Sequence, residues 1–179
     1  MYLKDGSLIS IDVGVLSKDI TEYTVNLKKE FLNKIVISVM EYFNKCGFYA
    51  RDCTPWNREF LSFGECVLYK VKDINKVTAN IHLAIEFNNS IYKGIKCFVG
   101  ENSFREEKIA KNIINSITSL GFLDLGVWYS DVYKITNTTM PCIIIRINCD
   151  ILDIERDENC LIPSLSKKLV NSIVGFGTY

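Results

Sequence analysis

Apolar residues recur along this chain with two periods, one of about two residues and one of about 3.6. Leu8–Val13 (LISIDV) is a short apolar run closed by Gly14 and predicts a strand. A polar stretch, Ser17–Thr21, follows. From about Glu22 or Val25 to Cys46, Phe31, Ile35, Val39, Tyr42 and Phe43 keep helical spacing, and Gly47 closes the helix. Phe48–Cys53 predicts a second strand. Thr54–Gly64, which holds Pro55, Trp56 and Gly64, predicts a loop. Val67, Val71, Ile74 and Val77 then step by four, three and three, as a helix does.

Strict alternation returns from Asn80 to Phe87. It puts Ile81, Leu83, Ile85 and Phe87 on one face of a strand and His82, Ala84 and Glu86 on the other. Asn88-Asn89-Ser90 predicts a polar turn. Ile95–Val99 predicts another strand. Phe104–Leu120 predicts an amphipathic helix with Ile109, Ile113, Ile117 and Leu120 on its stripe and Gly121 after it. Pro141–Ile147 (PCIIIRI) is apolar apart from Arg146 and predicts a strand covered on both faces. Leu161–Val174 predicts the last helix, ended by Gly175. Strands alternating with helices predict an α/β domain: a mostly parallel twisted sheet of about five to six strands, helices on both faces, one domain over 1–179. Ligands of such sheets bind beyond the carboxyl ends of the strands.

Composition narrows the function classes. The chain has 179 residues, 48% hydrophobic, enough for one core. Lys+Arg and Asp+Glu both count 21, so no basic excess draws it to nucleic acid or an anionic membrane. No apolar run approaches the roughly 20 residues of a membrane span. The N-terminus lacks a basic segment followed by an apolar one, so no signal peptide is expected. Seven cysteines without a Cys-x-x-Cys pair, beside a single His, suit buried free thiols in a reduced compartment better than a Cys/His zinc site.

Several motifs fall in a telling order. Ile11-Asp12-Val13-Gly14 comes first, then Glu22-x-x-x-Asn26, then Phe87-Asn88 with Lys93-Gly94. Leu125-Gly126-Val127, Tyr133 and Thr139-Met140-Pro141, leading into an apolar strand, complete the series. In this order they resemble the zinc-dependent N-acetylmuramoyl-L-alanine amidases of peptidoglycan, over nearly the whole chain. Met-Pro running into such a strand about fifteen residues after Gly-Val is the most specific part.

The resemblance implies where a catalytic site would lie. In the family, zinc is held by a His after the first strand, by the Glu of Glu-x-x-x-Asn and by a His ending the ligand strand, and a Glu ends the Met-Pro strand. Zinc keeps an open position for water and lowers its pKa, and the Glu moves the proton. Here those positions hold Val15, Glu22, Glu86 and Arg146. A second register makes His82 the third ligand instead of Glu86. Valine cannot ligate, and Arg cannot act as a base. Arg146 is instead placed to stand in for the missing cation between Glu22 and Glu86. Asn88 and Trp128 are the candidate substrate-binding side chains. Plainer roles are open to the same residues: Glu22 suits a helix start, His82 a satisfied structural histidine, Trp56 and Trp128 packing or loop aromatics. Asp12 and Asp19 are candidate replacement ligands near Val15, although the family also has an acid that is not a ligand where Asp12 stands.

Three functions follow from these expectations. The first is an amidase-like wall domain that does not hydrolyse. It would need no cofactor, and would bind peptidoglycan or an active amidase, or serve a lysis apparatus that releases it to the wall from the cytoplasm. The second is an active metal-dependent peptidoglycan amidase with an unusual metal site, zinc being the cofactor it would use. The third is a protein-binding module that never meets the wall.

Overall fold

A computed structural model describes residues 3–14 and 22–175, without the side chains of residues 22–25 and 151–158. Six strands form one sheet: β1 (Leu8–Val13), β2 (Tyr49–Asp52), β3 (Ile81–Asn89), β4 (Gly94–Val99), β5 (Leu123–Tyr129) and β6 (Cys142–Cys149), in the order β2-β1-β3-β6-β4-β5. Every pairing is parallel except β4 with β6. The helices are α1 (Glu22–Lys45), α2 (Phe63–Ile74), α3 (Phe104–Thr118), α4 (Tyr133–Asn137) and α5 (Ile151–Val174). This is the mostly parallel, doubly covered α/β sheet that the alternation predicts.

The two faces of the sheet differ in chemistry. Odd-numbered positions of β1, β3 and β6, such as Ile11, Leu83 and Ile145, are fully buried in the main core. Phe31, Ile35 and Val39 of α1, Ile109 and Ile113 of α3, and Leu165 and Leu169 of α5 cover them. Burial of such side chains, at about 25 cal/mol per Å², supplies most of the driving force. Even-numbered positions carry the polar groups: Ser10 and Asp12 of β1, His82 and Glu86 of β3, Arg146 of β6, Lys96 of β4. Over this second face lie α2 and α4, with only a small apolar cluster of Cys53, Ile74, Val77 and Met140.

Several boundaries differ from the sequence reading. Asn88 and Asn89 extend β3 instead of forming a turn, because β6 runs alongside and pairs them with Asn148 and Cys149. The helix after the 54–64 loop starts at Phe63, not Val67. Ser62 Oγ accepts from Glu65 N–H at 3.1 Å and caps it. Val77 lies beyond its end. The last helix begins at Ile151, ten residues before Leu161, and carries Pro163 inside it. Proline lacks a backbone N–H and is tolerated best in a first turn, so its place well inside this helix leaves one backbone hydrogen bond unmade. Both β5 and α4 are additional to the predicted elements.

The edge strand β5 is irregular. Ile95 pairs with Asp124 and Cys97 with Val127, so β5 spends one residue more than β4 over this step. Gly126 takes up the bulge at φ +83°, a conformation that L side chains rarely adopt.

Candidate functional site

Two polar clusters occupy the even face. The inner one is buried and centres on Asp12. Lys134 Nζ from α4 lies 2.9 and 2.7 Å from the two Asp12 carboxylate oxygens. Lys70 Nζ from α2 lies 3.1 Å from Oδ2 and also donates to the Val13 carbonyl. His82 Nε2 sits 3.0 Å from Asp12 Oδ1, and its Nδ1 sits 2.9 Å from Ser10 Oγ. With Asp12 ionised, Nε2–H donates to the carboxylate and Nδ1 accepts from the Ser10 hydroxyl. Burial alone would raise the Asp12 carboxyl, but Lys134, Lys70 and the His82 hydrogen bond outweigh it and hold it well below its ordinary range. Burial pushes His82 down, against the pull of Asp12, so it stays neutral. Asp12 and His82 have no solvent exposure, so the cluster is closed to a substrate.

The outer cluster lies farther along the strands toward the carboxyl ends of β3 and β6. Cross-strand register places Glu86, Arg146 and Lys96 side by side in one row. Arg146 Nε donates to Glu86 Oε2 at 2.8 Å, and Nη2 lies 2.7 Å from the same oxygen. Both side chains are partly exposed, 39% for Arg146 and 23% for Glu86. Gly14 follows β1 and packs against Glu86, donating its N–H to the Ile85 carbonyl at 2.6 Å. Any side chain there would collide with Glu86 Cγ, so this close approach requires glycine.

More cations surround the pair. The Arg146 guanidinium lies 4.7 Å from the Phe98 ring centre, and Lys96 Nζ lies 5.2 Å from Trp128 and 5.8 Å from Phe98. Lys28 of α1 is buried with its Nζ 5.7 Å from the Phe87 ring. Burial pushes the Lys28 ammonium down, Glu86 pulls it back up, and Arg146 adds to the lowering.

The predicted site residues thus separate. Glu86 and Arg146 meet, with Asn88 two residues beyond Glu86 on the same face and Trp128 reached through Lys96. His82 belongs to the inner cluster and faces Asp12, not the outer row. Val15 and Asp19 lie outside the described residues, and so does the Glu22 side chain; α1 begins at Glu22. Trp56 donates its indole N–H to Asp52 at 2.6 Å and packs on the core margin. Lys28, Lys70, Lys96 and Lys134 escape the sequence reading. Only Lys70 carries a signal, since it sits beside Val71 and one turn before Ile74 on the apolar stripe of α2.

The described residues by themselves do not assemble a zinc site. Among the described residues no three His, Cys, Asp or Glu side chains converge to hold a metal. Glu86 is already held by a guanidinium, and nearby cations would oppose a divalent ion. Burial pushes the thiols of Cys53 and Cys142 up to about 11 and about 12, so neither offers a ready thiolate. No described helix is long and apolar enough to cross a membrane.

No protein-family model matches the chain, and no curated protein matches it by sequence. Solved structures do. The catalytic domain of the CD27L endolysin targeting Clostridia difficile superposes with a TM-score of 0.77 at 17% identity, over 97% of this chain and 99% of that one. The catalytic domain of CwlV, an N-acetylmuramoyl-L-alanine amidase of Bacillus (Paenibacillus) polymyxa, gives 0.72 at 17% identity, over 95% and 97%. The N-acetylmuramoyl-L-alanine amidase AmiC2 of Nostoc punctiforme gives 0.71 at 17% identity, over 95% and 96%. Over 95–97% of its length, the chain therefore has the fold of N-acetylmuramoyl-L-alanine amidase catalytic domains.

Proposed function

We propose that this protein is an amidase-like cell-wall domain that binds peptidoglycan, or an active amidase working on it, without hydrolysing it. The observation that carries the reading is the Glu86–Arg146 ion pair. The resemblance puts a metal ligand at Glu86 and the catalytic carboxylate at Arg146. The pair neutralises the one and leaves a permanent cation at the other. A guanidinium cannot take a proton from water, so the general-base step has no agent there. The similarity of fold to amidase catalytic domains supports the wall as the target, while the chemistry of the site argues against turnover.

The test is a wall assay with the purified chain. Binding to isolated peptidoglycan without loss of turbidity supports the reading. Clearing of the walls that EDTA abolishes would replace it with an active metal amidase. Neither binding nor clearing, with or without an active amidase added, would leave a protein-binding module unrelated to the wall.

A further inference from the structure

We propose that the outer cluster is a receptor for a single carboxylate, carried by a ligand that also offers amide N–H groups and a flat or apolar face. The inference builds on the wall-binding reading for its choice of probe, and the experiment below separates the two.

Charge balance is the first argument. Arg146 and Lys96 lie directly opposite each other on antiparallel strands, where like charges destabilise a sheet. The sheet keeps them there with one acid, Glu86, in the row. Both Arg146 contacts go to a single oxygen of that acid. Lys96 makes no ion pair among the described residues, only its two ring contacts. Lys28 is 7% exposed and has neither a hydrogen bond nor an ion pair within reach among them. A buried ammonium without an acceptor is costly, and an arriving carboxylate relieves it. Among the described residues Arg146 and Lys96 thus flank one acid in the row, with the Lys28 ammonium nearby, and the excess of positive charge calls for an anion. The unpartnered acceptor and the exposed ring beside it suit a carboxylate on an organic ligand better than inorganic phosphate.

The surroundings supply the rest of the ligand's chemistry. Asn148 lies on the same face, one register row beyond Arg146 and opposite Asn88, and its buried Oδ1 has no hydrogen-bond partner. An N–H donor on the ligand would satisfy it. Trp128 is 55% exposed and is pinned by its own indole N–H, which donates to the Leu125 carbonyl at 2.8 Å. A fixed, exposed ring beside a cation is a platform for a sugar ring or an apolar side chain.

N-acetylmuramoyl-L-alanine has one carboxylate, amide N–H groups and a sugar ring. It and its carboxamide are titrated against the full chain by calorimetry, with N-acetyl-L-alanine and inorganic phosphate as further arms. Lys96→Met and Lys28→Met are measured alongside, with thermal melting to confirm folding. The expected result is that the acid binds, that its carboxamide binds about tenfold more weakly or worse, and that each folded variant loses a similar factor. Equal binding of acid and carboxamide, no binding of either, or tighter binding of phosphate overturns the proposal. So does undiminished binding of the acid by both folded variants. Walls retained by the chain while the acid fails to bind overturn this site and leave wall binding standing. N-acetyl-L-alanine bound in a Lys96-dependent way, with walls not retained, keeps the carboxylate site and removes the wall.

Discussion

Asp12 and Lys134 stand 122 residues apart in the chain and meet in the interior through contacts of 2.9 and 2.7 Å. With Lys70 they tie α2 and α4 to the second face of the sheet through charge, where little apolar surface is available. Asp12→Asn keeps the shape and removes the charge, leaving two ammonium groups buried. The expected loss of stability is about 3–5 kcal/mol, read from denaturant unfolding. A loss under about 1 kcal/mol would mean that the lysines find other partners or reach water.

Stability should fall as the solution is acidified, in two stages. His82 takes a proton less readily in the folded chain than at its ordinary value of 6.5, so below that value the unfolded chain binds more protons and gains. The Asp12 carboxyl is held below its ordinary value of 3.8, so its contribution is intact above that value and disappears further down. Melting temperature followed from about pH 7.5 to about pH 4 checks the first stage. His82→Asn should flatten that slope, and an unchanged slope would acquit His82.

The outer ion pair is a different case. Arg146 and Glu86 are both partly open to water, which screens their attraction. Arg146→Met should cost under about 1 kcal/mol in the same denaturant measurement. A cost near that of Asp12→Asn would place the pair in a far drier setting than its exposure indicates.

Gly14→Ala should cost more than its size suggests. Its methyl group would run into Glu86 Cγ and Cβ. Either Glu86 swings away from Arg146 or β1 parts from β3 at its end, at roughly 1–3 kcal/mol. A variant as stable as the parent would show that Glu86 moves freely.

Purified protein should hold no stoichiometric zinc after dialysis, by elemental analysis. Val15→His supplies one ligand of the family's set, but Arg146 still occupies the position of the base, and catalytic groups act as a unit. That variant should leave walls uncleared. Clearing by Val15→His alone would show that the site needs only one repair.

Much of the fold was legible because buried strands announce themselves. The alternation from Ile81 to Phe87 assigned both faces of β3 correctly, and PCIIIRI marked the strand at the sheet's centre. The bulged β5 was not legible, since Gly126 and an extra residue interrupt its period and one of its edges has no neighbour. The five-residue α4 is too short for any helical period to declare itself. In the site, Glu86 and Arg146 came from motif order, and cross-strand pairing joins them. Lys96 and Lys28 had no such marker. Lys96 comes beside Arg146 through cross-strand register and Lys28 comes over Phe87 through helix packing, which no local pattern encodes.

The edge strand has one more consequence, for assembly. An open edge invites a strand from another molecule to add to it, and the exposed Leu123, Trp128 and Tyr129 would make β5 adhesive. At the bulge, however, the chain has already used the groups an incoming strand would seek. The Asp124 side chain accepts from Gly126 N–H at 2.8 Å, and the Trp128 indole donates to the Leu125 carbonyl at 2.8 Å. A visiting strand meets a ladder with its middle rungs taken and its spacing broken. Strand addition at β5 would therefore have to break these contacts first.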